Sequence, residues 1–247
     1  MTSTDFSAAG RKSKKHLPLW QETILLLVIA LGLSVAIKAI LLQAFYIPSE
    51  SMEPGLVKND RILVQKVSYW GSGEPKRGDV VVFKDPGGWL NGIDDPSQSN
   101  MVTKVMSKIG LYPAGGHLVK RVVGVAGDVV ECCDKKGRIK INGVAIEEGG
   151  YIKNSPGMAC NGPMKNNCDW QTITIPPGQL FVMGDNRANS ADSSFHMCRT
   201  DATDCEPGDE FVPVDLVVGK VFAVVWPRPN WRWVERADSF GAVPTRK

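Results

Sequence analysis

The sequence predicts a mainly β protein, built of coiled antiparallel sheets and set behind one N-terminal membrane-spanning helix. Three observations carry that expectation. A single long apolar run lies near the start, short Val- and Ile-rich runs between turn formers follow it, and long helical patterns are otherwise missing.

The chain has 247 residues, enough for one domain of the larger all-β kind or two small ones. Its net charge of +3 is small, and Arg11, Lys12, Lys14 and Lys15 sit together in the tail formed by residues 1–22. The remainder is close to neutral, so no basic face for nucleic acid is expected. From Thr23 to Leu42 the chain reads TILLLVIALGLSVAIKAILL. As a helix this run is roughly 30 Å long, the thickness of a bilayer's hydrocarbon core. Its one charge, Lys38, lies near the end, where a long side chain snorkels toward headgroups. Cations precede the run and none follows in Gln43 to Val57, which places the N-terminus in the cytoplasm and residues 43–247 on the far side of the plasma membrane. The alternatives are a removable signal peptide and a buried soluble helix. The run is long for the first and no small-x-small site follows it; no polar face supports the second.

Beyond the anchor, strands are expected at Arg61 to Val67, Asp79 to Phe83, Leu118 to Val125, Asp128 to Glu131, Gln171 to Ile175, Leu180 to Met183 and Leu216 to Val225. Asn142-Gly143, between two apolar runs, signals a two-residue hairpin. Two stretches read as inserts, near 85–116 and 149–170, both rich in turn formers; the first holds Trp89 and a short helix candidate from Met101 to Ile109. All six cysteines follow the anchor, in a compartment where disulfides persist. Cys160 with Cys168 and Cys198 with Cys205 are the preferred local bridges. Cys132 and Cys133 are open between bridging each other, pairing elsewhere and staying reduced. No C-x-x-C pair supports zinc.

Histidine is scarce. His16 lies in the tail, and His117 and His196 sit in loop-like contexts, so a hydrolytic base here is expected to be something else. Lysine serves where burial lowers its pKa. On a strand, Lys120 shares a face with Leu118 and Val122 while Arg121 points the other way; the opposing possibility is a solvent-facing lysine on an amphipathic strand. In IPSESMEPGL (Ile47 to Leu56), Pro48 and Pro54 stiffen the backbone that carries Ser49 and Ser51, although a plain proline-rich stalk has the same composition. GDNRANSADSS (Gly184 to Ser194) is either a turn rich in Asn and Asp or a cluster of hydroxyls and carboxylates that orients a base.

Taken in order, the anchor, IPSESMEPGL, KRGDVVVF (Lys76 to Phe83), LVKRVVGVAGD (Leu118 to Asp128) and GDNRANSADS resemble bacterial signal peptidase I, the membrane-bound Ser-Lys proteases that remove signal peptides from exported proteins. The resemblance covers nearly all of the exported part. It implies the signal peptidase I fold, Ser51 as nucleophile and Lys120 as general base. It implies an oxyanion hole made from the Ser49 hydroxyl and the Ser51 N–H, and a Ser190 hydroxyl that orients the lysine. Asp185, Asp192 and Arg121 would be structural supports. Ile47, Pro48, Met52, Leu56 and Val119 would line shallow apolar pockets for an A-x-A cleavage site. No metal or other cofactor is implied. The implied partners are preprotein signal peptides and the lipid bilayer, with the secretion translocon nearby. Gly55 stands where threonine is usual and Ser194 where arginine is usual. The pair Cys132-Cys133 and the long insert before the lysine strand look most like the high-GC Gram-positive type. Trp226, Trp231 and Trp233 suit a membrane interface or ordinary packing alike. Three other readings compete: a relative with a narrower task, an anchored binding domain with inactive motifs, and a repressor-type autoprotease, which the absence of a DNA-binding module and the anchor both oppose.

Overall fold

The structure is a computed structural model, and it describes residues 18–71, 73–90, 116–153, 157–162, 168–198 and 208–244, side chains at 36 and 38–40 excepted. It divides into two units, residues 1–38 and 39–247. Helix α1 (Leu19–Leu41), whose residues up to Lys38 belong to the first unit, begins four residues before the expected span. Pro18 precedes it and accepts from the N–H groups of Gln21 and Glu22, and Glu22 lies in the first turn, where negative charge suits the helix dipole. From Ile24 to Val35 the side chains are apolar except for Ser34, and they are exposed. Among the described residues no helix is long and apolar enough to cross a membrane. The span expected over 23–42 is found as helix through Leu41, and Leu42 opens the first strand.

The second unit is β-structure. Its larger sheet contains β1 (Leu42–Tyr46), β2 (Arg61–Gln65), β3 (Val80–Lys84), β4 (His117–Gly124), β9 (Gln179–Met183), β10 (Val212–Pro213), β11 (Val217–Trp226) and β12 (Arg232–Trp233). Its order is β1-β2-β11-β3-β4-β9-β10, with β12 beside β11, and its pairings are antiparallel. The smaller sheet, β7-β6-β5-β8, is made from β5 (Val130–Cys132), β6 (Lys140–Ile141), β7 (Val144–Ala145) and β8 (Trp170–Gln171). Asn142 and Gly143 join β6 to β7 with φ of 54° and 80°, the left-handed pair that such a hairpin demands.

The run VVVF in β3 is continuous because both faces of that strand are covered. Val80 and Val82 pack into a cluster with Phe45, Ile47, Met52, Leu56, Ile62 and Val224. Val81 and Phe83 pack the other way, with Trp89, Leu118, Val122, Leu180 and Val182. Burying each such side chain contributes roughly 1.5–3 kcal/mol. A third cluster joins the smaller sheet (Val130, Ile141, Trp170) to β9 through Phe181 and Met183. Strand β4 thus lies deep in the molecule, between β3 and β9.

The strands expected from pattern are found with their ends moved by one or two residues, except that Gln171 to Ile175 is a strand only at its start. Most of the first insert, its helix candidate included, falls outside the described residues. At its near end, the Asp85 carboxylate accepts from the N–H groups of Gly87, Trp89 and Leu90. Cys160 bridges Cys168 as expected. Cys198 is in a disulfide, and its expected partner Cys205 lies outside the described residues. Cys132 and Cys133 bridge each other. The sulfurs of Cys132, Cys133 and Cys160 lie within 4.8 Å of one another, but all three are held in disulfides, which leaves them no thiolate for a metal.

Candidate active site

Three chain segments meet around Ser51. The first is the loop after β1. Ile47 is clamped by Asp60 and Asn59, with its N–H donating to Asp60 O and its carbonyl accepting from Asn59 N, both at 2.9 Å. Met52 and Leu56 plug the loop into the core beneath, and a turn bond from Glu53 N to Glu50 O (3.1 Å) closes it over Ser51. The second segment is β4, which presents Lys120 opposite Val81. The third is the polar run that leaves β9 at Met183.

Lys120 Nζ stands 2.6 Å from Ser51 Oγ. Lys120 is 4% exposed and Ser51 7%, so the solvent-facing alternative for this lysine does not hold. Burial strips the ammonium of water and pulls its pKa down to about 8, while the carboxylates of Asp192 and Asp185 pull the other way. Ser49 Oγ lies 3.2 Å from Ser51 Oγ. A buried amine near neutrality, in contact with a hydroxyl and away from bulk water, is equipped to take that hydroxyl's proton. Of the two histidines that follow the apolar run, His196 stacks on Trp89 at 4.3 Å and His117 tilts against Phe45.

The family model for signal peptidase, peptidase S26, matches residues 20–226. The chain belongs to the S26 signal peptidase family, a family of serine peptidases. Among its relatives, a probable signal peptidase I of Mycobacterium leprae is 35% identical, over 96% of this chain and 86% of that protein. A signal peptidase I of Mycobacterium tuberculosis is 38% identical, over 85% of this chain and 74% of that one. These are relatives of the high-GC Gram-positive type that the resemblance implied. A signal peptidase I crystal structure from Enterococcus faecalis aligns over 61% of this chain and 98% of its own, at 20% identity and a TM-score of 0.33.

In this S26 chain the supporting groups are arranged as follows. Arg121 makes a bidentate pair with Asp185, Nε to Oδ1 at 2.8 Å and Nη2 to Oδ2 at 2.6 Å. It also donates to Gly78 O and lies over the Tyr151 ring at 4.4 Å. Ser190 donates to Asp192 Oδ2 at 2.5 Å, so its hydroxyl meets that carboxylate and not Lys120. It still borders the site: a Cβ added to Gly184 would come within 2.3 Å of Ser190 Oγ and 2.5 Å of Ser51 O. Asp192 caps helix α2 (Ser193–His196) and also accepts from Gly184 N at 2.8 Å. Ser194, at the position where the resemblance implies arginine, donates two hydrogen bonds to Asp192 Oδ1, from its N–H at 3.0 Å and its hydroxyl at 2.7 Å. At Gly55 an added Cβ would lie 3.2 Å from Asp185 Oδ2, a tight contact that a small shift of that carboxylate would relieve.

The residues expected to line substrate pockets divide. Ile47, Met52 and Leu56 are buried in the core cluster with Val119 packed at its margin, and Pro48 is exposed.

Pattern reading gave no role to Asn186, Arg187, Glu148 or Tyr151. Arg187 and Glu148 form a fully buried ion pair, and Arg187 also donates to Gly184 O at 3.0 Å and to Asn161 O. Tyr151 donates to Glu148 Oε1 at 3.0 Å. Only Asn186 and Arg187 fell inside a motif; Glu148 sits in EEGGY, a stretch that reads as loop.

Proposed function

We propose that this chain is a membrane-bound endopeptidase that removes signal peptides from exported preproteins, cutting after an A-x-A site through a Ser51-Lys120 dyad. The observation that carries the reading is the 2.6 Å approach of Lys120 Nζ to Ser51 Oγ at a buried site. Neutral Lys120 takes the Ser51 proton as Oγ attacks the scissile carbonyl. The carbonyl's π pair moves to oxygen, held by the Ser51 N–H and the Ser49 hydroxyl. Lys120 then protonates the departing amine, leaving an acyl-enzyme, and activates the water that releases the acid and restores Ser51. Asp185 and Arg121 fix the strand that carries Lys120, and Asp192 with Ser190 fixes the turn beside Ser51.

The apolar run Thr23 to Leu42, preceded by the basic tail, is what supports anchoring through 23–42 with that tail in the cytoplasm. Ser51 follows that run closely in sequence, which suits a substrate whose cleavage site emerges from its own membrane segment near the translocon. The test is cleavage of a preprotein carrying an A-x-A site by full-length protein in detergent or lipid, beside Ser51→Ala and Lys120→Met. Cutting by wild type alone is expected; no cutting by wild type, or cutting by either variant at near wild-type rate, removes the proposal.

A further inference from the structure

We propose that Asn186 aims the oxyanion hole, by gripping the peptide unit whose far edge is the Ser51 N–H. The inference rests on Ser51 being the nucleophile. Asn186 is buried and makes two bonds to the serine loop. Its side-chain Nδ2 donates to Glu50 O at 3.0 Å, and its backbone N–H donates to Ser51 O at 3.0 Å. Asn186 therefore holds the carbonyl before Ser51 and the carbonyl of Ser51 itself. Since a backbone carbonyl only accepts, the side-chain group that faces it has to be the NH2.

The Glu50–Ser51 peptide is not among the cis bonds, and a trans peptide is planar, with C=O and N–H on opposite edges. Fixing Glu50 O thus fixes the direction of the Ser51 N–H. Two donors converge on that oxygen, Asn186 Nδ2 and Glu53 N, while among the described residues the Ser51 N–H donates to no protein acceptor. It is left for an oxygen outside the chain. Donation to the carbonyl also polarises the amide and strengthens its N–H as a donor. The grip is rigid because the next residue, Arg187, is buried and tied to Glu148, Asn161 O and Gly184 O. Asn186 is a positioning residue, acting through the Ser51 amide.

The test uses the full-length chain with a preprotein substrate and with a peptide aldehyde. The aldehyde's hemiacetal with Ser51 Oγ places its oxygen in the hole. Asn186→Ala removes the donor; Asn186→Asp keeps the shape but turns an acceptor toward Glu50 O. Both variants are expected to lower kcat on the order of ten- to a hundredfold, short of the hundred- to thousandfold seen when such a donor is deleted outright. KM should stay within about twofold, and aldehyde affinity should fall by the same factor as kcat/KM. In Asn186→Ala the pH limb set by Lys120 should not move, since Asn186 is uncharged. Wild-type kcat in both variants, a loss carried by KM, or unchanged aldehyde affinity would overturn the proposal. So would failure of both variants to give a cooperatively melting protein, which would assign Asn186 a purely structural role. An active Ser51→Ala would sink the dyad itself; an inactive Ser51→Ala beside fully active Asn186 variants would sink only this inference.

Discussion

Lys120 is where stability and the proposed chemistry pull against each other. An ammonium at that depth is disfavoured, and its pKa of about 8 lies well below the ordinary 10.5. Below pH 8 both the folded and unfolded chains carry the proton, and the full difference, roughly 3 kcal/mol, counts against folding. That penalty fades as pH rises through 8 toward 10.5, because only the unfolded chain still binds the proton there. Lys120→Met should therefore melt at higher temperature than wild type at pH 7, by a margin that shrinks at pH 9.5, while being inactive. Calorimetry at the two pH values checks this. Activity of the wild type should rise along an alkaline limb near pH 8. Asp192→Asn, which deletes a charge that holds the proton on Lys120, should move the limb to lower pH; a limb that stays or rises would contradict that electrostatic account. At this scale the motif segments were legible in the sequence, but partners were not. That Ser190 turns to Asp192, and that Ser194 donates to the same carboxylate, depends on how α2 leaves the loop after β9.

Among elements, legibility followed the strength of local pattern. The Asn142-Gly143 hairpin was readable because its turn needs two left-handed residues, and few pairs supply them. Gly143 has φ of 80°, so Gly143→Val should destabilise the protein by about 1–2 kcal/mol, measured by urea unfolding. Strand β1 was not readable, because its first residue is continuous with the apolar run before it; its identity comes from pairing with β2. Strands β10 and β12, two residues each, are too short to show a period and exist only because β9 and β11 are beside them. The Arg187–Glu148 pair ties the loop that follows β7 to the segment that leaves β9. Glu148→Gln strands a buried guanidinium and should cost on the order of 3–5 kcal/mol. Because Arg187 adjoins Asn186, activity should fall before the midpoint of thermal unfolding is reached.

The whole chain falls into two units, with the division at residue 38. Removal of residues 1–38 should leave a folded β-unit that still hydrolyses a short A-x-A peptide but no longer sediments with vesicles, as the full-length chain is expected to do. A truncated chain that sediments equally well would move the attachment to the exposed Trp226, Trp231 and Trp233. By itself the sequence determined the apolar helix-forming run, the β character of the rest and the order of the family's motifs, and it favoured the local Cys160–Cys168 bridge that the structure contains. Each of these is written in short-range composition, spacing or turn chemistry. Only the tertiary structure decided that both faces of β4 are covered, that Lys120 Nζ reaches Ser51 Oγ across 69 residues of chain, that Cys132 and Cys133 join each other, and that Asn186 grips the Glu50–Ser51 peptide. Those facts arise where segments distant in the chain share one buried space, and no periodicity along the chain encodes which of them will meet.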